Sequence, residues 1–286
     1  MKSGRFTKYE MLINNPAFAV GVTNSPSSSS ALTVSDWDLR PNSASDGDVL
    51  LYSPTNAVYR WLDAAQDWVR NEAYTFSMSK FDKIIGDESD ATVLTDRGWT
   101  ANITGTGTAS SVVLADGKPW FQLAQTVSTG FAYIQASVSA GQGCYMAGNV
   151  RISALQSANY ASAVYPYFAN GTDEYMWHIA YSGIGNGGRW RQNATPVIIV
   201  GAVHLGTVSG NLSTPYNGST GAFNEVLILP NNRGAFAWYH HSATPVASID
   251  SVGALSNTSS FLRMGDATTG GSSTTQMRDM LVCIIT

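Results

Sequence analysis

Charge is what this sequence has least of. Only 13% of its 286 residues are Asp, Glu, Lys or Arg, against about 25% in an ordinary globular protein. The deficit deepens along the chain. From Trp120 to Thr286 the basic residues are Arg151, Arg189, Arg191, Arg233, Arg263 and Arg278, and the acidic ones are Asp173, Glu174, Glu225, Asp250, Asp266 and Asp279. Ser, Thr, Asn, Gly and Ala must therefore cover most of that surface. Basic clusters are also missing: the net charge is −4 and no Lys/Arg stripe occurs, which excludes nucleic acid as a main partner, because phosphate neutralisation needs grouped cations. No apolar run approaches the ~20 residues of a membrane span, so membrane insertion is not expected. The opening Met1-Lys2-Ser3-Gly4-Arg5 is followed by Tyr9-Glu10-Met11-Leu12-Ile13-Asn14-Asn15-Pro16, too broken to be the apolar core of a signal peptide. Cysteine is nearly absent. Cys144 and Cys283 are expected to be buried free thiols; a long-range disulfide is not implied by their spacing, and no Cys pattern suits a metal.

Cytosolic enzymes seldom have such a composition; extracellular adhesins, fibres and capsid-associated proteins often do. Without a signal peptide, it fits a particle assembled in a host cytoplasm and released by lysis, so the expected location is the virion.

Three regions emerge from punctuation. Residues 1–35 are an extended arm in which Met11, Leu12, Ile13 and Phe18 supply apolar anchors, followed by the Ser-rich linker Asn24-Ser25-Pro26-Ser27-Ser28-Ser29-Ser30. Two readings stay open for the arm: a peptide that docks on another protein, or a strand that pairs with its own chain. Residues 36–75 are a small β-hairpin unit. Asp46-Gly47-Asp48 is a turn signal, Val49-Leu50-Leu51-Tyr52 a short strand, Ser53-Pro54-Thr55-Asn56 the next turn, and Val58-Tyr59-Arg60-Trp61-Leu62 alternates as a strand does. Trp61 and Trp68 are seven apart, which also suits a helix face, but the close Pro and Asn punctuation favours a hairpin. Residues 76–286 carry short apolar runs separated by Gly, Asn, Ser or Pro. Strands are expected at 111–114, 120–124, 131–137, 144–152, 163–168, 175–181, 197–203, 224–229, 235–239, 261–265 and 277–284, in a sandwich or barrel. The one helix expected, Lys80–Ile85, is short.

Two resemblances bear on these regions. Asp46-Gly47-Asp48-Val49-Leu50-Leu51-Tyr52 with Tyr59-Arg60-Trp61-Leu62 resembles small hairpin units of phage tail-fibre, head-fibre and other virion proteins. Phe261-Leu262-Arg263-Met264-Gly265-Asp266, a polar loop, then Met277-Arg278-Asp279-Met280-Leu281-Val282 resembles the closing strands of concanavalin A-like (laminin-G-like) domains. Together they imply a fold class: all-β, an antiparallel jelly-roll β-sandwich preceded by the arm and the hairpin unit. In such a fold the last strand returns to pair near the first ones. The first resemblance further implies a homotrimer attached to a capsid or tail protein. Many laminin-G-like domains bind calcium, but no ligand set maps onto this chain, so structural calcium is left unassigned and no other cofactor is expected.

Catalytic chemistry is thinly represented. A retaining glycosidase needs two carboxylates about 5–5.5 Å apart, and the Glu-x-Asp-x-x-Glu run of glycosidases with this fold is absent. Asp173-Glu174 reads as a turn. His240-His241, after Ala237-Trp238-Tyr239, reads as a strand end with one ring inward and one outward. Asp36-Trp37-Asp38, Asp46-Gly47-Asp48 and Asp87-Glu88-Ser89-Asp90 read as turns rather than calcium loops. The better signal is aromatic residues beside small polar ones, since sugars use aromatic faces for their C–H patches and amides for their hydroxyls. Two loops carry it: Arg189, Trp190, Arg191 and Asn193 in the first, Tyr216 and Asn217 in the second. Trp177 and Trp238 are expected in the core. The expectation is a non-enzymatic virion fibre, tip or decoration protein that exposes a lectin-like sandwich to host surface glycans. Two alternatives stand beside it: a glycan hydrolase or depolymerase on the same fold, and a secreted bacterial lectin.

Overall fold

The computed structural model describes residues 31–125, 130–139, 141–156, 167–169, 174–180, 187–192, 198–202, 222–230, 234–250, 260–266 and 272–286. Met11, Leu12, Ile13 and Phe18 lie outside them. The described chain forms two compact units, one of residues 31–54 with 58–77, the other of residues 55–57 with 78–286. Among the described residues no helix is long and apolar enough to cross a membrane.

The smaller unit is a four-stranded sheet in sequence order: β1 (Leu32–Val34), β2 (Val49–Tyr52), β3 (Ala57–Leu62) and β4 (Asp67–Arg70). Its turns obey their residues. Gly47 takes φ +85° and Asn56 φ +61°, conformations open to Gly and Asn. Asp46 and Asp48 hold the first turn: Ser45 N–H donates to Asp48 Oδ2 (2.9 Å) and Tyr74 Oη–H to Asp46 Oδ2 (3.1 Å). Along β3 the even alternation holds, with Ala57, Tyr59 and Trp61 buried and their neighbours half-buried. The seven-residue spacing of Trp61 and Trp68 is that of a hairpin: the two stand directly opposite with ring centroids 5.5 Å apart in a T-shaped pair, worth about 0.5–1.5 kcal/mol beyond burial.

The larger unit is all-β and antiparallel, a sandwich of packed sheets with one short helix among its described residues. Lys80–Ile85 is not a helix. It falls in β5 (Met78–Ile84), because Ile84 must enter the core while Lys80, at φ +51°, bulges from the edge. The six-residue helix Ala91–Asp96, which the sequence pattern did not reveal, is capped by Asp90 through Thr92 N–H (2.7 Å). Next come β6 (Thr100–Thr104), β7 (Thr108–Val113), β8 (Pro119–Gln125), β9 (Phe131–Val138), β10 (Gly143–Gln156), β11 (Tyr167–Ala169), β12 (Glu174–Ala180), β13 (Gly187–Gln192), β14 (Ile198–Ala202), β15 (Ala222–Ile228), β16 (Gly234–Tyr239), β17 (Ala247–Asp250), β18 (Ser260–Asp266) and β19 (Ser272–Ile285). One sheet runs β17-β16-β15-β10-β19-β8-β7, with β5 also on β19; a second runs β18-β9-β6; a third runs β11-β12-β13-β14. The first two enclose the core, where Met146, Val226, Met277 and Val282 meet Ile134, Leu262 and Met264.

The last strand lies mid-sheet. β19 pairs with β10 from Gly143–Ile285 to Gln156–Ser272, and on its other edge with β8 and with β5, the first strand of this unit. The first and last strands of this unit meet, as the closing-strand pattern implied. Cys144 and Cys283 are buried in adjacent strands with no disulfide between them; Cys144 stands opposite Ile284 and Cys283 opposite Tyr145, and burial pushes the Cys144 thiol well above its ordinary value.

A bulge interrupts the β10–β19 ladder between Ala147 and Asn149. Asp279 takes φ +52° there, and Gly148 lies so close that a Cβ on it would fall 2.6 Å from Met280 Cα and 2.7 Å from Asp279 O. Gly148→Ala is therefore expected to cost about 1–3 kcal/mol, read as a lower denaturation midpoint. An unchanged midpoint would mean that the bulge accepts a side chain.

Candidate functional site

On the face of the eight-stranded sheet away from the core, antiparallel register lines up Ser110, Gln122, Gln276 and Arg151 across β7, β8, β19 and β10. The side chains join as well. Arg151 Nη1–H donates to Gln276 Oε1 (2.6 Å), and Gln276 Nε2–H donates to Gln122 Oε1 (2.7 Å). Gln276 is buried, whereas Ser110, Gln122 and Arg151 are half-buried and reach the surface.

Two residues along each strand lies a second line, with Val112 opposite Trp120 and Arg278 opposite Asn149. The Arg278 guanidinium covers the Trp120 ring at 4.8 Å from its centroid. Asp116, in the β7–β8 turn, accepts from Arg278 Nη1–H (2.9 Å), Trp120 Nε1–H (3.2 Å) and Lys118 N–H (3.1 Å). Trp120 is thus sealed under an ion pair and offers no face to a ligand.

Further across, the same face closes. Glu225 stands between Ala147 and Trp238 and accepts from Tyr145 Oη–H (2.9 Å). Glu225 and Tyr145 are both wholly buried, and Trp238 is 1% exposed, but Trp238 is buried on this outer face rather than between the sheets, where its strand turns Ala235 and Ala237 instead. Phe223 stacks on His241 with ring centroids 3.9 Å apart. His240 and His241 do not end a strand. Both take positive φ, 48° and 55°, in a turn closed by Ser242 N–H to Tyr239 O (3.0 Å); His241 is buried and His240 exposed.

The acidic fragments act in turns and caps. Asp36 Oδ1 accepts from Asp38 N–H (3.0 Å) at the start of the 3-10 turn Trp37–Leu39. Buried Glu88 accepts from Ile85 N–H (3.0 Å) and Gly86 N–H (2.8 Å). Among the described residues no group of three His, Cys, Asp or Glu gathers as a metal site.

The aromatic residues expected in loops are placed differently. Gly187–Gln192 is a strand, β13, paired on both edges: Trp190 stands opposite Trp177 and Val200, Arg189 opposite His178 and Ala202, and Arg191 opposite Met176 and Ile199. The Gly187-Gly188 pair reads as a turn in sequence, yet it faces Ala180 and Ile179 in the ladder, because the neighbouring strand supplies its backbone partners. Glu174 likewise opens β12 rather than a turn. Asn193, Tyr216, Asn217 and Asp173 lie outside the described residues. The polar row itself left a faint sequence signal. Trp120-x-Gln122, Asn149-x-Arg151 and Gln276-x-Arg278 each place bulky polar or aromatic groups two apart in an apolar strand, but only register joins them.

No protein-family model matches the chain, and no curated protein sequence matches it. Solved structures with a similar course include the carbohydrate esterase vb_24B_21 from Shiga toxin-encoding bacteriophage phi24B, at 13% identity over 73% of this chain and 99% of that one with a TM-score of 0.41. Cip1, a cellulose-induced protein, is similar at 13% identity over 69% and 95% with a TM-score of 0.47, and peanut lectin at 10% identity over 73% and 98% with a TM-score of 0.39. Likenesses this distant leave function to the chain's own residues.

Burial works against ionisation of Asp116, but the Lys118 backbone N–H, the Trp120 indole and the Arg278 guanidinium outweigh it and hold the carboxyl below its ordinary value. Its stabilisation is complete above the ordinary carboxylate range and is lost as pH falls through the depressed value. The gap in melting temperature between wild type and Asp116→Asn should therefore narrow from about pH 5 to about pH 2. Parallel curves would show that the carboxylate's charge does not matter.

Proposed function

We propose that this chain is a non-catalytic glycan-binding protein whose ligand lies along the Ser110–Gln122–Gln276–Arg151 line. The observation that carries the reading is the continuous amide–guanidinium row on the outer face of the eight-stranded sheet, half-open at Gln122 and Arg151. Planar amides and guanidinium groups match the spacing of neighbouring hydroxyl oxygens, and holding them in a hydrogen-bonded row lowers the cost of ordering them on binding. Of the carboxylates described on this face, Glu225 is enclosed with Tyr145 and Asp116 is bound to Arg278, so neither faces a ligand as an acid or nucleophile.

The finer reading is a phage virion appendage, a head or tail fibre, tip or decoration protein. It would be homotrimeric, joined to a capsid or tail protein through residues 1–35, and would present the sandwich to host surface glycans. Its support is the resemblance of Asp46–Tyr52 and Tyr59–Leu62 to virion hairpin units, together with the Ser-rich linker. Deleting residues 1–30 should leave a folded protein that no longer joins the particle; normal incorporation of the truncated chain would sink the anchor idea.

For the glycan site, an array screen followed by calorimetry should give a ligand whose affinity falls roughly tenfold in Gln122→Ala, the loss of one or two polar contacts, with the melting temperature kept. Trp190→Ala serves as the comparator. A loss confined to Trp190→Ala would move the site to the β11–β14 sheet.

A further inference from the structure

The sheet edges of the larger unit are not alike. A strand at an edge exposes unpaired N–H and C=O groups and so templates the pairing of another strand. β17 lies beside β14, β18 beside β11, and β6 beside the helix Ala91–Asp96. β5 is guarded on the strand itself: it carries Lys80, Asp82 and Lys83, and a register shift between Ser79 and Asp82 breaks its ladder to β19 where Lys80 takes φ +51°. β7 has none of these devices. It ends its sheet, with β8 as its only neighbour among the described strands. Its residues, Thr108–Val113, include no charge, proline or glycine, and their ladder to β8 runs without a shift. Each of them is half-buried or exposed, and Val113 is 71% exposed.

Register tells which backbone groups face outward. In an antiparallel ladder, hydrogen-bonded pairs alternate with non-hydrogen-bonded ones. Just beyond Val113, Leu114 N–H donates to Lys118 O (3.3 Å). Val113 itself stands opposite Pro119, which has no N–H to give. Thr108, Ser110 and Val112 therefore direct their backbone groups at β8, and Ala109, Ser111 and Val113 turn theirs to the open edge.

We propose that β7 pairs antiparallel with β7 of a second copy of this chain, around a two-fold axis at Ser111. Ser111 then faces its own counterpart and Ala109 faces the partner's Val113, so every outward N–H and C=O of the three residues is paired. The edge itself argues for a second copy. A foreign strand laid on β7 would present a new open edge of its own, whereas a copy related by a two-fold axis closes both edges at once. Charge agrees with this. In the same register the β7–β8 turn, residues 114–118, passes residues 104–108 of the other copy, which read Thr-Gly-Thr-Gly-Thr, so no like charges meet. The pairing is separate from any association through residues 1–35 and does not depend on the glycan reading.

Sedimentation equilibrium of the full-length protein tests the pairing. The contact is small, so association of about micromolar strength is expected, and the mass is read up to about 100 μM. The wild type should reach twice the mass of Ser111→Pro and of Val113→Lys, whatever the arm contributes. Ser111→Pro removes an N–H that β8 does not use. Val113→Lys keeps the backbone and adds the kind of charge that guards edges. Both should keep the melting temperature close to that of the wild type; if Ser111→Pro does not fold, Val113→Lys decides. Disulfide formation under oxidised glutathione reads the register. Ser111→Cys should cross-link two chains, because it stands opposite itself, and Thr108→Cys should not. Cys144 and Cys283 are buried and stay out of the reaction. Equal masses for the wild type and a folded Val113→Lys, or cross-linking of Thr108→Cys as fast as that of Ser111→Cys, overturns the proposal.

Discussion

The residue at which the last strand changes face governs the architecture of the larger unit. Along β19 the core takes Ile284, Val282 and Met280 at steps of two, then Met277 at a step of three. Strict alternation from Met280 would have driven Arg278 and Gln276 into the core and put Met277 outside. The extra residue at Asp279, in the left-handed region that Asp tolerates, absorbs the odd step, and Gly148 leaves it room on β10. The bulge uses one residue to keep apolar side chains on one face and the polar row on the other.

That strand also ties the larger unit together. β19 touches β10 on one edge and both β8 and β5 on the other, so sheet continuity depends on the final segment of the chain. Contacts such as Met280–Ile84 and Gln122–Gln276 close loops of great length, which places this unit among the slow, non-local folds. Neither half of the eight-stranded sheet is complete until the C-terminal residues arrive.

The outer face grades from open to closed across the same strands. At β7 and β8 polar side chains reach the surface; at β15 and β16 a glutamate and a tryptophan are fully enclosed, with a tyrosine from β10 beside them. A buried carboxylate is tolerable because Tyr145 donates to it, since an ion without a partner would be costly there. Arg278 achieves the same balance differently, lying on the Trp120 ring and bonded to Asp116.

Much of the strand content was legible by eye. The all-β class, the hairpin around Asp46–Leu62 and most long strands come from alternation and turn residues, because these are local properties that a short window reveals. Where local cues misled, a neighbour overrode them. Gly187-Gly188 joined a strand because β12 supplied its partners, and Lys80–Ile85 became strand because β19 needed an edge partner. Sequence alone determined composition, scarcity of charge, and the absence of a basic stripe; these are sums over residues and need no fold. Only the tertiary structure decided that Gln122, Gln276 and Arg151, up to 154 positions apart, form one row. Cross-strand register is a pairing between distant segments, and no single strand contains the information that sets it.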